Sequence, residues 1–309
     1  MEEDARDFYE DEEILEAVKR FEEMINRDAF EYFDVFEIEG MVDYFLDEGK
    51  IKLARLAIAN GLHIHPASCT LQIKKAQVLL VEGKAEECLD ILVDAEKMEN
   101  GNPDVFMAKG SALAMLGQIP EAMEAYEQSI RYSFEDTDEL LYNISMTLEQ
   151  AGETDKAIDF LERAYQINPE NELVLYELGY CCDKQQNFEK SIRYYNKYLD
   201  IDPFNASVWY NLGITYNRIG QHEKAIDAYD YSIALQDNFE QAYFNKANAL
   251  SNSNRYEEAV ACYLEYLGLD KDNDDAYCYL GECYLNLEQN EEALVNYRKA
   301  IRINKNNAN

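Results

Sequence analysis

From residue 35 to residue 307 the chain repeats itself eight times with a period of 34 residues, and few folds accommodate that regularity. The blocks begin at Val35, Cys69, Pro103, Asp138, Glu172, Ala206, Glu240 and Asp274, with Thr137 as a single inserted residue. The eighth place of each block reads Val42, Ala76, Gly110, Ser145, Gly179, Gly213, Ala247 and Gly281. The twentieth reads Ala54, Cys88, Ala122, Ala157, Ser191, Ala225, Ala259 and Ala293. Both columns are small almost throughout. The twenty-fourth is large, with Ile58, Leu92, Tyr126, Leu161, Tyr195, Tyr229, Tyr263 and Tyr297.

Apolar residues inside a block fall at helical spacing. In the sixth, Trp209, Leu212, Gly213, Tyr216 and Ile219 form one stripe, and Ala225, Ile226, Tyr229 and Ile233 form another. Gly220 separates them, as Gly49, Gly83, Gly117 and Gly152 do in other blocks, at the point where one helix must end and the next begin. Each block therefore predicts two antiparallel helices of about 14 residues, roughly 20 Å long. Pro66, Pro169 and Pro203 stop the second helix at a common register. A lone pair leaves one face bare, and stacking covers it, so the expectation is one elongated array rather than eight domains.

The blocks resemble the tetratricopeptide repeat, whose W-x2-L-G-x2-Y…A-x3-F pattern stands here as Trp209-Leu212-Gly213-Tyr216, Ala225 and Tyr229. The resemblance implies an all-α fold: a right-handed superhelical solenoid of antiparallel helix pairs, with repeats 35–68, 69–102, 103–136, 138–171, 172–205, 206–239, 240–273 and 274–307. It departs from the family at Tyr198 and Tyr266, where a small residue is usual, and at Phe134, Asp237 and Lys271, where proline is common. These departures bear on local curvature. Residues 1–34 lie outside the repeat and read as an acidic, frayed leader (2–13) followed by a capping helix with Ile14, Val18, Phe21, Ile25, Phe30 and Phe33 on its apolar face. The rival reading of that segment is a docking peptide.

Acidic residues number 62 against 28 basic, a formal charge of −34, which argues against nucleic acid and anionic membranes as partners. The charge serves solubility, and at the N-terminal end it suits a basic partner. The opening residues, Met1-Glu2-Glu3-Asp4, lack the basic and apolar regions of a signal peptide, and no apolar run reaches the roughly 20 residues of a membrane span. The 7 cysteines are odd in number and scattered, which fits a reducing, cytoplasmic setting.

No phosphate loop, dinucleotide fingerprint, G-x-S-x-G or H-E-x-x-H motif is present, so the sequence supports no enzyme and no cofactor. His63 and His65 read as solvated residues at a helix C-terminus rather than metal ligands. Asp270, Asp272 and Asp274 imitate a calcium loop, but Asp275 and Gly281 stand where glycine and a bidentate glutamate are needed.

In this family the first helices line the concave groove, and the resemblance implies ligand contacts at places two, five, six, nine, twelve and thirteen. Tyr142, Tyr176, Tyr210 and Phe244 make an aromatic row at place five, beside Asn143, Asn211 and Asn245 at place six. Met146, Tyr180, Ile214 and Asn248 adjoin them, with Asn217 and Arg218 as further donors. An asparagine amide offers donor and acceptor together, which suits a peptide backbone, and aromatic faces accept apolar or cationic groups. The row is similar to the asparagine ladder in the tetratricopeptide arm of O-linked N-acetylglucosamine transferase, interrupted here by Glu177; the alternative is consensus packing. A basic carboxylate clamp is not assembled by any three consecutive repeats. The resulting expectation is a protein-interaction scaffold that binds a peptide or partner helix. The alternative is a peptide-sensing or substrate-recruiting arm of a larger regulatory protein or enzyme. Leu294, Tyr297 and Ile301 leave an apolar stripe on the last helix, covered either by further chain or by another molecule, such as a second copy in a homodimer.

Overall fold

The computed structural model describes residues 2–27, 30–133 and 137–307, with side chains from residue 12 to residue 304. It contains seventeen helices and, among the described residues, no strand. Contacts gather the chain into two compact units, Met1–Glu153 and Thr154–Asn309. The first holds α1 (Glu2–Arg27), α2 (Val35–Asp47), α3 (Ile51–Ile64), α4 (Cys69–Val81), α5 (Ala85–Met98), α6 (Pro103–Met115), α7 (Ile119–Tyr132) and α8 (Thr137–Gln150). The second holds α9 (Thr154–Ile167), α10 (Glu172–Lys184), α11 (Phe188–Ile201), α12 (Ala206–Arg218), α13 (His222–Leu235), α14 (Glu240–Asn252), α15 (Tyr256–Leu269), α16 (Asp274–Asn286) and α17 (Asn290–Asn307). The division falls inside the block 138–171.

Helices pack as sequential neighbours, α4 on α5 and α6 on α7 in the first unit, α10 on α11 and α12 on α13 in the second. The turn within each pair is set by backbone geometry. Lys50 N–H donates to Phe45 O at 2.7 Å and Gly49 N–H to Leu46 O at 2.9 Å, which closes α2 in a Schellman motif. Gly49 takes φ +67° to do so. Glycine supplies that conformation in five blocks, but Gln186, Asn254 and Glu288 adopt it at the same register, with φ near +60°. Sequence reading found the five glycines and missed the three side-chain-bearing equivalents.

The two small columns explain how closely the paired helices meet. At the eighth place, glycine lies under the tyrosine of the twenty-fourth, as Gly213 does under Tyr229. Tyr126, Tyr195, Tyr229 and Tyr263 are the largest fully buried side chains. Between pairs, Tyr198 and Tyr266 have a defined job. Asn205 caps α12 by accepting from Val208 N–H at 3.1 Å, while its Nδ2 donates to Tyr198 Oη at 2.9 Å. Asn273 does the same on α16 with Tyr266, at 2.8 Å. The departures from the small-residue rule thus brace the inter-pair turns. Trp209 stacks on Tyr231 with ring centroids 4.5 Å apart, and its Nε1 donates to Pro203 O.

In the first unit α1 packs on α2 through Ala17, Val18, Phe21 and Met24, with Phe21 against Phe33 and Phe45 at 5.9 and 6.0 Å. The helix begins at Glu2, so the acidic stretch expected to fray is helical; glutamates are good helix formers and are favoured at a helix N-terminus. Ile25 and Phe30, placed on the apolar face by spacing, are exposed, and Ala17 and Met24 are buried instead. Arg20 anchors the segment, donating to Glu31 at 2.6 Å and Glu37 at 2.7 Å. Phe134 lies outside the described residues. On α17, Tyr297 is partly buried beneath Gly281, whereas Leu294, Val295 and Ile301 are exposed. The bare stripe therefore excludes the tyrosine that spacing assigned to it.

Candidate functional site

Within the second unit the first helices α10, α12, α14 and α16 touch in succession, while successive second helices stay further apart. The first-helix side is the tighter one, and it carries most of the residues expected in the groove. The aromatic row is wedged against the second helices. Tyr176 meets Tyr195 edge-on at 6.3 Å, Tyr210 lies 6.0 Å from Tyr229, and Phe244 lies 5.2 Å from Tyr266. These rings are partly buried, so one side packs and the other remains open.

The amide row is tied to the aromatic row of the preceding block. Asn211 Nδ2 donates to Tyr176 Oη at 3.1 Å, and Asn245 Nδ2 donates to Tyr210 Oη at 2.9 Å. Burial raises the Tyr210 pKa above its ordinary value, against a smaller opposing effect of Asn245, so the phenol stays protonated. Each asparagine is held by one N–H, and its carbonyl oxygen and second N–H make no hydrogen bond among the described residues. The signal was readable in the sequence: tyrosine at place five and asparagine at place six of the next block are 35 residues apart.

Other expected residues divide. Tyr180 is exposed and Ile214 partly buried beside the ladder. Asn248 Oδ1 accepts from Tyr263 Oη at 2.5 Å, which leaves its amide N–H groups as donors. Of the two further donors expected, Asn217 spends its carbonyl oxygen and keeps its amide N–H groups, whereas the Arg218 guanidinium is engaged in an ion pair. Asn217 Oδ1 meets His222 Nδ1 at 2.8 Å, and Arg218 pairs with Asp183, whose other oxygen accepts from Thr215 at 2.9 Å. Tyr142, Asn143 and Met146 lie on α8 in the first unit, with Asn143 exposed.

The first unit presents different chemistry on its first helices. Lys74 Nζ bonds both carboxylate oxygens of Asp43, at 2.6 and 2.7 Å. Glu39 Oε1 is buried without a hydrogen bond, and burial, partly offset by Lys74, raises that carboxyl above its usual range.

Sequence models of the tetratricopeptide repeat match residues 107–172, 148–212, 206–239, 240–273 and 274–307, well over half of the chain. The chain belongs to the tetratricopeptide repeat family. No curated protein matches the sequence. Among solved structures it is similar to a crystal structure of MamA, with 23% identity and a TM-score of 0.53 over 53% of this chain and 96% of that one. It is similar also to MamA from Desulfovibrio magneticus RS-1, with 17% identity and a TM-score of 0.54 over 56% of this chain and 98% of the other. At such identities the likeness shows the fold alone.

As a tetratricopeptide repeat protein the chain has the architecture of a protein-interaction scaffold. Cys88 and Cys182 are packing residues: burial pushes Cys88 up to about 12 and Cys182 to about 11, far from a reactive thiolate. His65 Nε2 lies 2.9 Å from Phe33 O, tying the turn before α2 to the end of α3. Among the described residues no group of three or more histidine, cysteine or acidic side chains could hold a metal ion, and no helix is long and apolar enough to cross a membrane.

Proposed function

We propose that this tetratricopeptide repeat protein is a non-enzymatic scaffold that holds an extended segment of a partner protein against the first-helix side of its second unit. The observation that carries the reading is the pair of bonds from Asn211 to Tyr176 and from Asn245 to Tyr210. They orient two amides one block apart, each with an unspent acceptor and donor, as a peptide backbone requires. Tyr180, Ile214 and the open sides of Tyr210 and Phe244 supply apolar contact without reading a particular side chain. The test is a photo-crosslinking amino acid placed at Tyr180, with Arg193 on the second-helix side as control. Adducts at position 180 that vanish in Asn211→Ala with Asn245→Ala support the reading. Equal adducts at both positions, or adducts indifferent to the double substitution, would refute it.

A second surface supports self-association. Leu294, Val295 and Ile301 lie exposed along α17, which suits a homodimer through that helix. Light scattering that stays monomeric as concentration rises would remove that reading; self-association abolished by Leu294→Lys with Ile301→Lys would support it.

A further inference from the structure

Every block but the first has leucine, isoleucine, valine or methionine at its twenty-first place. The first has Arg55 there, and Arg55 lines a cavity of about 400 Å³ held between α3, α4 and α5. Both α3 and α5 pack on α4 but scarcely on each other, which opens a cleft between them. Buried Ile58, Val78 and Leu79 form its apolar floor. Arg55, Lys75 and Lys84 bring three cations to it against Glu82 and Glu87, so the lining is net basic in a chain whose formal charge is −34.

The cations differ in what they are spent on. Glu82 accepts from Lys84 at 2.7 Å and from Arg55 at 3.3 Å, and so holds both. Lys75, half-buried on α4, has no ion-pair or hydrogen-bond partner among the described residues. Lysine recurs at this seventh place in two other blocks, where a carboxylate on the second helix of the preceding block meets it. Lys109 pairs with Glu96 at 3.2 Å, and Lys246 pairs with Asp230. Those acids stand at the twenty-eighth and twenty-fifth places. The block before Lys75 has Leu62 and Ala59 at these two places, and both line the cavity. The register thus brings an ammonium group to an apolar cavity and withholds its counter-ion.

We infer that this cavity binds a small-molecule monocarboxylate with a hydrocarbon body, its carboxylate on Lys75 and its body over Ile58, Val78 and Leu79. One unspent cation calls for one negative charge; a second charge, as on a phosphate monoester, would be desolvated without a partner. Arg55 and Lys84 neutralise Glu82, so that carboxylate does not repel the incoming one. The volume lies within the roughly 300–1,000 Å³ of small-molecule sites, which likewise join apolar walls to a few polar groups. None of the lining residues stands at a groove place, so the site is independent of the peptide reading and of any protein partner.

The probe is octanoate below its micellar concentration, added to the full chain. Lysine ε-¹³C labelling follows the Lys75 resonance, assigned by Lys75→Leu, and equilibrium dialysis gives Kd. Octanol removes the charge, octylammonium reverses it and acetate removes the body. A saturable shift of Lys75 with octanoate is expected, with each control weaker by roughly tenfold or more. Lys75→Leu installs the residue that Leu178 and Leu212 supply at this place, and should weaken octanoate by roughly tenfold or more with circular dichroism unchanged. Ala59→Asp supplies a carboxylate in the register of Asp230, and should do the same while Lys75 is kept. Full affinity in either folded variant, or equal binding of octanol, overturns the site. An unmoved Lys75 at saturation does so too, and leaves a lysine whose head reaches water. A peptide C-terminus offers the same carboxylate. Tighter binding of an acetylated hexapeptide ending in leucine than of octanoate overturns the small-molecule assignment.

Discussion

Gly179 carries no side chain because the ring of Tyr195 occupies the space where one would begin: a Cβ there would stand 2.4 Å from Tyr195 Cε1. The same holds for Gly110 with Tyr126 at 2.4 Å, Gly213 with Tyr229 at 2.6 Å and Gly281 with Tyr297 at 2.8 Å. Where the eighth place is Val42, Ala76 or Ser145, the twenty-fourth is Ile58, Leu92 or Leu161. Ala247 with Tyr263 is the exception. Two columns that look independent in sequence thus describe one contact.

Gly179→Ala is expected to destabilise the chain by about 1–3 kcal/mol through overpacking. Adding Tyr195→Leu should recover part of that loss, reproducing the Ala76–Leu92 combination. A double-mutant cycle from urea melts measures the coupling, and strictly additive effects would show that the contact does not govern the seam.

Gln186 and Glu288 hold a left-handed backbone that glycine adopts elsewhere at this register. Gln186→Gly and Glu288→Gly should each stabilise by up to about 1 kcal/mol, the steric relief exceeding the entropy that glycine adds to the unfolded chain. Asn254→Gly should gain less, since asparagine tolerates this conformation. Thermal melts of the three variants rank them directly.

Tyr176 is asked both to pack and to orient Asn211. Tyr176→Phe removes only the hydroxyl and should cost about 1 kcal/mol. Tyr176→Ala also removes the ring from Tyr195 and Tyr198 and should cost roughly 3–5 kcal/mol. Equal losses would mean that the ring contributes nothing and that the ladder is the whole interaction.

Glu39 titrates above its ordinary value in the folded chain because burial disfavours its charge. The folded state therefore holds that proton more tightly than the unfolded one. Ionised Glu39 weakens the fold at neutral pH, and the penalty fades as pH falls through the folded pKa. Glu39→Gln should stabilise at neutral pH, with the gain shrinking in acid. A gain that is constant with pH would assign the effect to packing.

Much of the fold was legible from residues 35 to 307 because the period, the small columns and the glycines each report a backbone or packing requirement that one residue type satisfies. The N-terminal helix was read less well. Its apolar positions are few and overlap two possible faces, and the choice of Ala17 and Met24 over Ile25 depends on how Phe33 and Phe45 meet Phe21. At the candidate site, the Tyr and Asn rows were found but not their bond, which joins residues 35 apart. Arg218 looked available because Asp183, which claims it, belongs to another helix, α10.

Trp209 is the chain's single tryptophan, stacked on Tyr231 and tethered to Pro203. Its emission reports the state of the α12–α13 pair and little else. In an array whose pairs contact mainly their neighbours, melting need not be all-or-none. A fluorescence midpoint for this chain is therefore a local thermometer, and its distance from the midpoint of far-ultraviolet ellipticity measures how far the repeats unfold out of step.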